Sequence, residues 1–210
     1  MTIALQGLYE RVIPVYLVCD ESEFMTVTAT EVNAAIREVH CAVGLDPVAS
    51  RAVMLSVISF ADTAQVLVPL DYARNMSEIR GCRTGGGARY SAVFTLLKEV
   101  IESDIDRLRS AGASVLRPIV AVVSVGTPSD PESWGSAHAQ LTGPSNGRRP
   151  HIFTFGVPEA IREVLTAVAT PIDSLDGERL MTTADDIGAL GGMIAELLLR
   201  TARESVVLST

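Results

Sequence analysis

The sequence VYLVCDESEFM, residues 15–25, contains the end of a buried strand and the polar residues that follow it. A run of apolar residues that begins at residue 12 ends abruptly in Asp20, Glu21, Ser22, Glu23 and Phe24. The run is almost continuously apolar rather than alternating, which is typical of a strand buried on both faces of a parallel sheet. Polar side chains directly after such a strand lie at its carboxyl end, where open α/β sheets bind their ligands. They either form a site or simply end a buried strand.

The composition predicts one globular domain. Its 210 residues, 48% hydrophobic and 20% charged, are enough for one sizeable core. No apolar run approaches the roughly 18–20 residues of a membrane span, and the first six residues show no secretory signal. Cys19, Cys41 and Cys82 have unrelated spacings; Cys19 ends an apolar run and Cys41 lies in a helical pattern, which indicates buried free thiols in a reducing compartment. We therefore expect a cytoplasmic protein with a single domain over residues 1–210 and a core at about 12–203.

The charge argues against nucleic acid as a partner. The formal net charge is −8, whereas nucleic-acid-binding proteins carry a basic stripe. The one basic pair is Arg148-Arg149, in a loop rich in Gly, Pro and Asn, where two arginines are usually just solvated. No Cys/His group has the spacing of zinc ligands.

Apolar runs alternate with helical patterns, which favours β-α units and a mostly parallel sheet. A four-residue link at 61–64 makes the second and third strands an antiparallel hairpin. Thr30 is the expected N-cap of the first helix, Gly44 its expected stop, and Gly191-Gly192 indicate a close packing contact within the last helix. Strands are predicted at 12–19, 52–60, 65–70, 119–125, 151–157 and 180–182, and helices at 30–43, 90–110, 133–141, 159–169 and 184–203.

These elements predict an α/β protein of three layers. An open sheet of about six strands, mostly parallel with one antiparallel edge strand, carries helices on both faces. Ligands of such a sheet bind where the strand order reverses. Function is therefore expected at three loops, residues 20–28, 81–90 and 124–134.

Five stretches carry a family resemblance: PVYLVCDESEFM, TGGGARYSAV, PIVAVVSVGTPSD, VMLSVISFADTAQVLVPL and HIFTFGV. The first three resemble the signature of the von Willebrand factor A domain, which is a strand ending in Asp-x-Ser-x-Ser, a Gly-Gly-Thr loop that opens a helix, and a strand ending in Thr-Asp-Gly. The fourth resembles the strand hairpin of that family, and the last resembles its fifth strand. The resemblance covers roughly residues 14–199 and is closest to bacterial intracellular A domains found with tellurium-resistance proteins (the TerY-like group). It implies a Rossmann-like fold.

The resemblance also implies a metal position. The family binds a divalent cation, usually magnesium, at a metal-ion-dependent adhesion site (MIDAS). Asp20 and Ser22 match two of its five positions, whereas Phe24, Gly87 and Val125 stand at the other three. None of these three side chains carries an oxygen, and Phe24 is expected to crowd the cleft. The implied site is therefore degenerate, and we expect no bound Mg²⁺ and no other cofactor.

Other chemistry stays open at this point. A rearranged site for Mg²⁺ or Mn²⁺ could draw on Glu21, Glu23, Thr84, Ser124, Thr127 or Asp130, which lie in the same loops. The triple glycine 85–87 could cradle phosphate, but the Gly-Lys-Ser/Thr of a P-loop is missing. No nucleophile elbow indicates a hydrolase, since the one G-x-S-x-G match, at residues 143–147, lies in a predicted loop and not between a strand and a helix. A catalytic dyad formed only in space is not visible in a sequence.

The expected function is that of a non-catalytic module that binds an unidentified protein through the carboxyl end of the sheet, with no nucleic-acid or membrane partner. The resemblance adds a link to tellurium-resistance or stress-type systems. Trp134 is either an exposed anchor for the partner or part of the core. The candidate contact residues are Glu21, Glu23, Thr84, Arg89, Ser124, Thr127, Asp130 and Trp134.

Overall fold

The computed structural model describes residues 11–76, 83–171, 181–183 and 187–207. Within these ranges the strands are β1 (Arg11–Asp20), β2 (Val53–Phe60), β3 (Ala64–Tyr72), β4 (Ser114–Val115), β5 (Ile119–Ser124), β6 (His151–Gly156) and β7 (Met181–Thr183). The helices are α1 (Ala29–Leu45), α2 (Ala49–Ala52), α3 (Tyr90–Ser110), α4 (Trp134–Thr142), α5 (Arg162–Val168) and α6 (Leu190–Val207). None of the described helices is long and apolar enough to cross a bilayer.

The strands form one sheet in the order β3-β2-β1-β5-β6-β7, and the two-residue β4 pairs with the start of β1. Only β2 and β3 pair antiparallel, and the other pairings are parallel. Because three residues are too few for a crossover, the link after β2 can only turn back into a hairpin. The predicted α/β sheet, mostly parallel with one antiparallel edge strand, is confirmed.

Strand β1 is buried on both faces because helices cover both sides of the sheet. Val15 and Leu17 belong to the core shared with α1 and α6, whereas Tyr16 and Val18 belong to the core shared with α3 and α4. Alternate side chains of one strand thus enter two cores, which explains the nearly continuous apolar run. The result is the predicted arrangement of three layers.

The first helix begins and ends differently from the prediction. Its N-cap is Thr28, whose carbonyl accepts the Val32 amide at 3.0 Å. Thr30 therefore lies inside the helix, and its prediction as the N-cap is wrong. The helix also runs past Gly44, the predicted stop, and ends at Leu45.

Other boundaries differ for local reasons. The helix predicted from residue 159 begins at Arg162, because Glu159 has a φ of 67°, in the left-handed region that does not continue into a helix. β2 begins at Val53, since Ala52 ends the short α2. The predicted helix start at 184, the strand start at 180 and Cys82 lie outside the described residues. Cys19 is a buried free thiol as predicted, whereas Cys41 is exposed on α1, so its predicted burial is wrong. The last helix is described from Leu190, after a 3-10 turn at Ile187–Ala189.

The paired glycines of α6 mark a close helix contact, as predicted. A Cβ placed on Gly191 would lie 2.9 Å from the Cβ of Glu38 on α1, closer than side chains pack. A Cβ on Gly192 would meet only the Oε1 of Glu38, at 3.5 Å. Gly191 therefore permits the approach of α6 to α1, whereas Gly192 faces solvent.

Candidate binding site at the carboxyl edge of the sheet

Polar side chains meet where the strand order reverses. The chain leaves β1 for β2 on one side and later enters β5 on the other, so β1 and β5 are neighbours that are not consecutive. Asp20 is the last residue of β1, and Ser124 is the last residue of β5. Because the two strands are parallel, both residues lie at the same end of the sheet, here called the carboxyl edge. Open α/β sheets bind ligands in this crevice.

Three buried side chains are hydrogen-bonded in series across the crevice. Ser124 Oγ donates to Asp20 Oδ2 at 2.5 Å and lies 2.7 Å from Tyr90 Oη. Since the serine proton points to the carboxylate, the tyrosine hydroxyl donates to Ser124 Oγ, which also accepts the Gly126 amide at 2.9 Å. Asp20 Oδ1 accepts the Ser22 amide at 2.8 Å. Both carboxylate oxygens of Asp20 are thus engaged by protein donors.

Burial raises the pKa of two members of this series, Asp20 and Tyr90. Asp20 is only 2% exposed, and loss of solvation raises the pKa of its carboxyl, while hydrogen bonds from Ser124 and the Ser22 amide oppose the rise. Burial also raises the pKa of the Tyr90 hydroxyl despite its hydrogen bond with Ser124. Tyr90 therefore stays a neutral donor at physiological pH.

Glu21 connects the loop at residues 83–89, here called the glycine loop, to the end of β1. Its side chain is 8% exposed and accepts the Arg83 amide through Oε1 at 2.7 Å. The carbonyl of Glu21 accepts the Gly85 amide at 2.7 Å, and the Glu23 amide donates to the Gly86 carbonyl at 3.0 Å. Glu21, a predicted substitute metal ligand, thus holds residues 83–86 in place.

Gly87 fills a tight position between Asp62 and Ser129. Its amide donates to Asp62 Oδ1 at 3.1 Å. A Cβ placed on Gly87 would lie 2.9 Å from Ser129 Cβ and 3.3 Å from Asp62 Oδ1. The threonine that the family resemblance implies at this position could enter only if Ser129 moved. The packing of this loop therefore requires the glycine.

Asp130 caps the long helix α3 from a different loop. Its Oδ1 accepts the Tyr90 amide at 2.9 Å, and its Oδ2 accepts the Ser91 amide at 2.9 Å and the Ser133 hydroxyl at 3.1 Å. A carboxylate at a helix N-terminus satisfies free amides and faces the positive end of the helix dipole. Asp130, also predicted as a substitute ligand, is used here as a cap.

The other matched and replaced family positions differ in exposure. Ser22 is fully buried, and its Oγ, although near enough to Asp20 to influence it, makes no hydrogen bond of acceptable geometry. Phe24 lies in the 3-10 turn Glu23–Met25 and is 53% exposed, so more than half of its surface faces solvent. Val125 is half-buried and packs against the core on the side of α1 and α6.

These side chains do not fit a magnesium ion. Magnesium takes near-octahedral oxygen ligands, usually including one or two carboxylates. Asp20 has both oxygens engaged, and Phe24, Gly87 and Val125 offer no side-chain oxygen. In the described part of the chain, no three His, Cys, Asp or Glu side chains group closely enough to hold a metal ion.

Trp134 belongs to a cluster of rings between α3 and α4. Its ring centroid lies 6.0 Å from Tyr90, 6.1 Å from Phe94 and 6.0 Å from His138. The side chain is half-buried. Its position therefore corresponds to that of a core residue and not to that of a fully exposed anchor. The remaining candidates lie at the edge as exposed or half-buried side chains: Glu23, Arg89, Thr84 and Thr127.

Three side chains of the site are not among the predicted contact residues: Asp62, Tyr90 and Ser129. Asp62 follows β2, which is parallel to β1, so its place at the carboxyl edge follows from the predicted sheet. Tyr90 lies in the loop 81–90 where function is expected, but no sequence pattern indicates that its hydroxyl reaches the end of β5. Ser129 opposes Gly87 through a loop contact that depends on the whole fold.

Sequence comparison finds no relative: no family model matches the chain, and neither does any curated protein. Solved structures do match its fold. One is the pilus adhesin SpaC from Lactobacillus rhamnosus GG in its open conformation. The alignment covers 92% of this chain and 30% of the SpaC chain, at 13% identity and a TM-score of 0.68. The ArnB paralog VWA2 from Sulfolobus acidocaldarius aligns with 89% of this chain and 45% of its own, at 16% identity and a TM-score of 0.63.

A third neighbour is similar over nearly its full length. The SpRpn10 VWA domain aligns with 85% of this chain and 93% of its own, at 14% identity and a TM-score of 0.56. At these identities the likeness shows the fold alone. The chain has the fold of a von Willebrand factor A domain, and it spans less than half the length of SpaC and of VWA2.

Proposed function

We propose that this chain is a non-catalytic A domain that binds another protein through the carboxyl edge of its sheet, without a bound metal. The exposure of apolar side chains carries the proposal. Four large apolar side chains are exposed among the described residues, and three of them follow β1 or β6 at this edge: Phe24 at 53%, Val27 at 89% and Ile161 at 42%. Apolar side chains gathered at one end of a domain typically mark an interaction surface.

Charged side chains are exposed on loops of the same edge. Arg83 and Arg89 are exposed on the glycine loop, and Glu23 and Asp62 are exposed on the neighbouring loops. An apolar centre with a polar rim of both signs is the usual anatomy of a protein interface, where the apolar groups supply binding energy and the charges supply specificity. We therefore expect Phe24 to be the anchor.

The contacts of the histidines support a non-catalytic role. His40 Nε2 lies 2.8 Å from the Ala73 carbonyl, and His138 Nε2 lies 2.8 Å from the Val168 carbonyl. His151 begins β6, at the opposite end of the sheet from Asp20, and stacks on Phe153. A general base has to reach its nucleophile within about 3 Å, and these rings are engaged elsewhere.

A photo-crosslinking experiment tests the surface. We would place benzoylphenylalanine at Phe24 and, as a matched control, at Leu45, which is 85% exposed at the end of α1 and therefore at the other end of the sheet. In native cell extract, we expect one partner to crosslink from position 24 and not from position 45, equally with EDTA and with Mg²⁺. Crosslinks of equal yield from both positions would overturn the proposal.

A second candidate is an A domain that binds Mg²⁺ or Mn²⁺ through a rearranged ligand set. The observation that favours it is Ser22 Oγ, a fully buried hydroxyl with no hydrogen-bond partner among the described residues, since such groups usually find a partner. For this candidate the crosslink from Phe24 would form in Mg²⁺ and disappear in EDTA. The expected cytoplasmic location rests on the free cysteines and on the resemblance to intracellular A domains, and the link to tellurium-resistance or stress systems rests on that resemblance alone.

A further inference from the structure

Four arginines meet at the end of the sheet opposite to the carboxyl edge. Arg109 lies in the last turn of α3, Arg117 precedes β5, and Arg148 and Arg149 precede β6. Together they line a cleft of about 240 Å³ whose lining contains no acidic residue. The sequence revealed only the pair Arg148-Arg149, and the fold brings the other two beside it. We call these four residues the arginine cleft.

The loop that carries two of these arginines is held in one shape. Asn146 Nδ2 donates to the Leu141 carbonyl at 2.7 Å, and Asn146 Oδ1 accepts the Arg148 amide at 2.9 Å. The Arg149 amide donates to the Asn146 carbonyl at 3.1 Å. Arg117 holds the same loop from below, through Nε to the Arg149 carbonyl at 3.1 Å and through Nη2 to the Pro150 carbonyl at 3.3 Å. The arginine cleft is therefore preorganised.

Two of the four guanidinium groups have no acidic partner among the described residues. Arg148 pairs with Asp106, whereas the Arg149 guanidinium donates only to the Pro144 carbonyl within the described part of the chain, at 3.4 Å. The Arg109 guanidinium is exposed and makes no ion pair or hydrogen bond with the described residues. In a chain of formal net charge −8, the guanidinium groups of Arg109 and Arg149, which line the same cleft, create a local field that attracts anions.

We infer that the arginine cleft binds the phosphoryl group of a phosphorylated ligand. A phosphoryl group carries nearly two negative charges and three acceptor oxygens, and several guanidinium forks can bind it at once, whereas a carboxylate accepts one or two. The cleft is small, and Val115, Leu116 and Pro118 form an apolar wall beside the arginines. This fits one phosphoryl group with a small attached part. Its source is either a free phosphorylated molecule or a phosphorylated side chain of another protein.

Isothermal titration with inorganic pyrophosphate, at an ionic strength held constant with NaCl, tests the site. We expect saturable binding of one pyrophosphate per chain. The variant Arg109→Gln/Arg149→Gln should bind at least tenfold more weakly, and it removes only one long hydrogen bond to a carbonyl, so the fold should persist. The control Arg37→Gln/Arg51→Gln loses the same charge from exposed positions on α1 and α2 and should bind within twofold of the original chain. Near-ultraviolet dichroism of Trp134 would verify folding.

A second titration identifies the source. The probes are a glycine-flanked phosphoserine pentapeptide and its unphosphorylated twin. Tenfold tighter binding of the phosphopeptide than of pyrophosphate indicates a phosphorylated protein, and the reverse order indicates a free small phosphate; both support the cleft. The inference is overturned if neither phosphorylated probe binds saturably, or if the two arginine double variants lose binding equally. Because the arginine cleft lies away from the carboxyl edge, its failure would leave the proposed protein-binding surface untouched.

Discussion

Asp20 and Ser124 end neighbouring strands, and the hydrogen bond between them closes the crevice in which a ligand of this fold would sit. The side chains around them have structural tasks of their own. Asp130 caps α3, Glu21 holds the glycine loop, and Asp62 binds the Gly87 amide. The acidic side chains of the carboxyl edge are thus engaged in hydrogen bonds within the protein.

The series Tyr90–Ser124–Asp20 should contribute measurably to stability. Ser124→Ala removes a partner from both the buried carboxylate and the buried tyrosine hydroxyl. We expect it to lower the free energy of unfolding by about 1–3 kcal/mol in urea titrations. Tyr90→Phe breaks one of the same hydrogen bonds, so the double variant should lose less than the sum of the two single losses.

Ser114→Ala is the matched control for this series, since Ser114 is exposed in the two-residue strand β4. Its cost should stay within about 0.5 kcal/mol. A Ser124→Ala variant as stable as the control variant would show that the buried series contributes nothing.

Residues of this site differ in how far a local sequence pattern could reveal them. Asp20 and Ser22 were found because a short motif directly follows a buried strand. Gly87 was recognised as a missing threonine, but the reason for the glycine is Ser129, 42 positions later in the chain. Contacts of this kind depend on loops that meet only after the sheet has formed, and no local pattern records them.

At the scale of elements, prediction succeeded where burial imposes a strong pattern. β1, β2, β5 and β6 are central strands covered on both faces, and their apolar runs ended within about one residue of the observed strands. The predicted start of α5 was wrong because it depends on the conformation of a single residue, Glu159. The strand β4 was not predicted because it is only two residues long. Two residues carry no periodicity that could be recognised.

The contact between α1 and α6 provides a prediction from adjacent residues. Gly192→Ala should raise the free energy of unfolding by about 0.5–1 kcal/mol, since alanine favours a helix and this position is exposed. Gly191→Ala should lower it by about 1–3 kcal/mol, because the new Cβ would collide with Glu38 on α1. Urea titrations of both variants measure the two effects. An equal response of the two variants would mean that Gly191 does not set the approach of α6.

At the scale of the whole molecule, the two ends of the sheet have different chemistry. The carboxyl edge carries three of the exposed large apolar side chains, and the opposite end carries the arginine cleft. Both cores share the same central strands, and the expected single domain over residues 1–210 stays a prediction.

We expect the carboxyl edge of the original chain to bind no metal ion, and thermal unfolding measures this. The chain would be melted in EDTA and then in millimolar Mg²⁺ or Mn²⁺, with NaCl used to match the ionic strength. A variant carrying Phe24→Ser, Gly87→Thr and Val125→Asp is the positive control, with Ser129→Gly added to make room for the threonine. Asp20→Asn in the original chain is the negative control.

We predict that the unfolding temperature of the original chain is the same in EDTA and in either metal. A ligand at 100 times its Kd stabilises a protein by about 2.7 kcal/mol, which for a chain of this size is a rise of roughly 5–10 °C. A saturable rise of that size in the original chain, abolished by Asp20→Asn, would contradict the account and establish a metal site at the carboxyl edge.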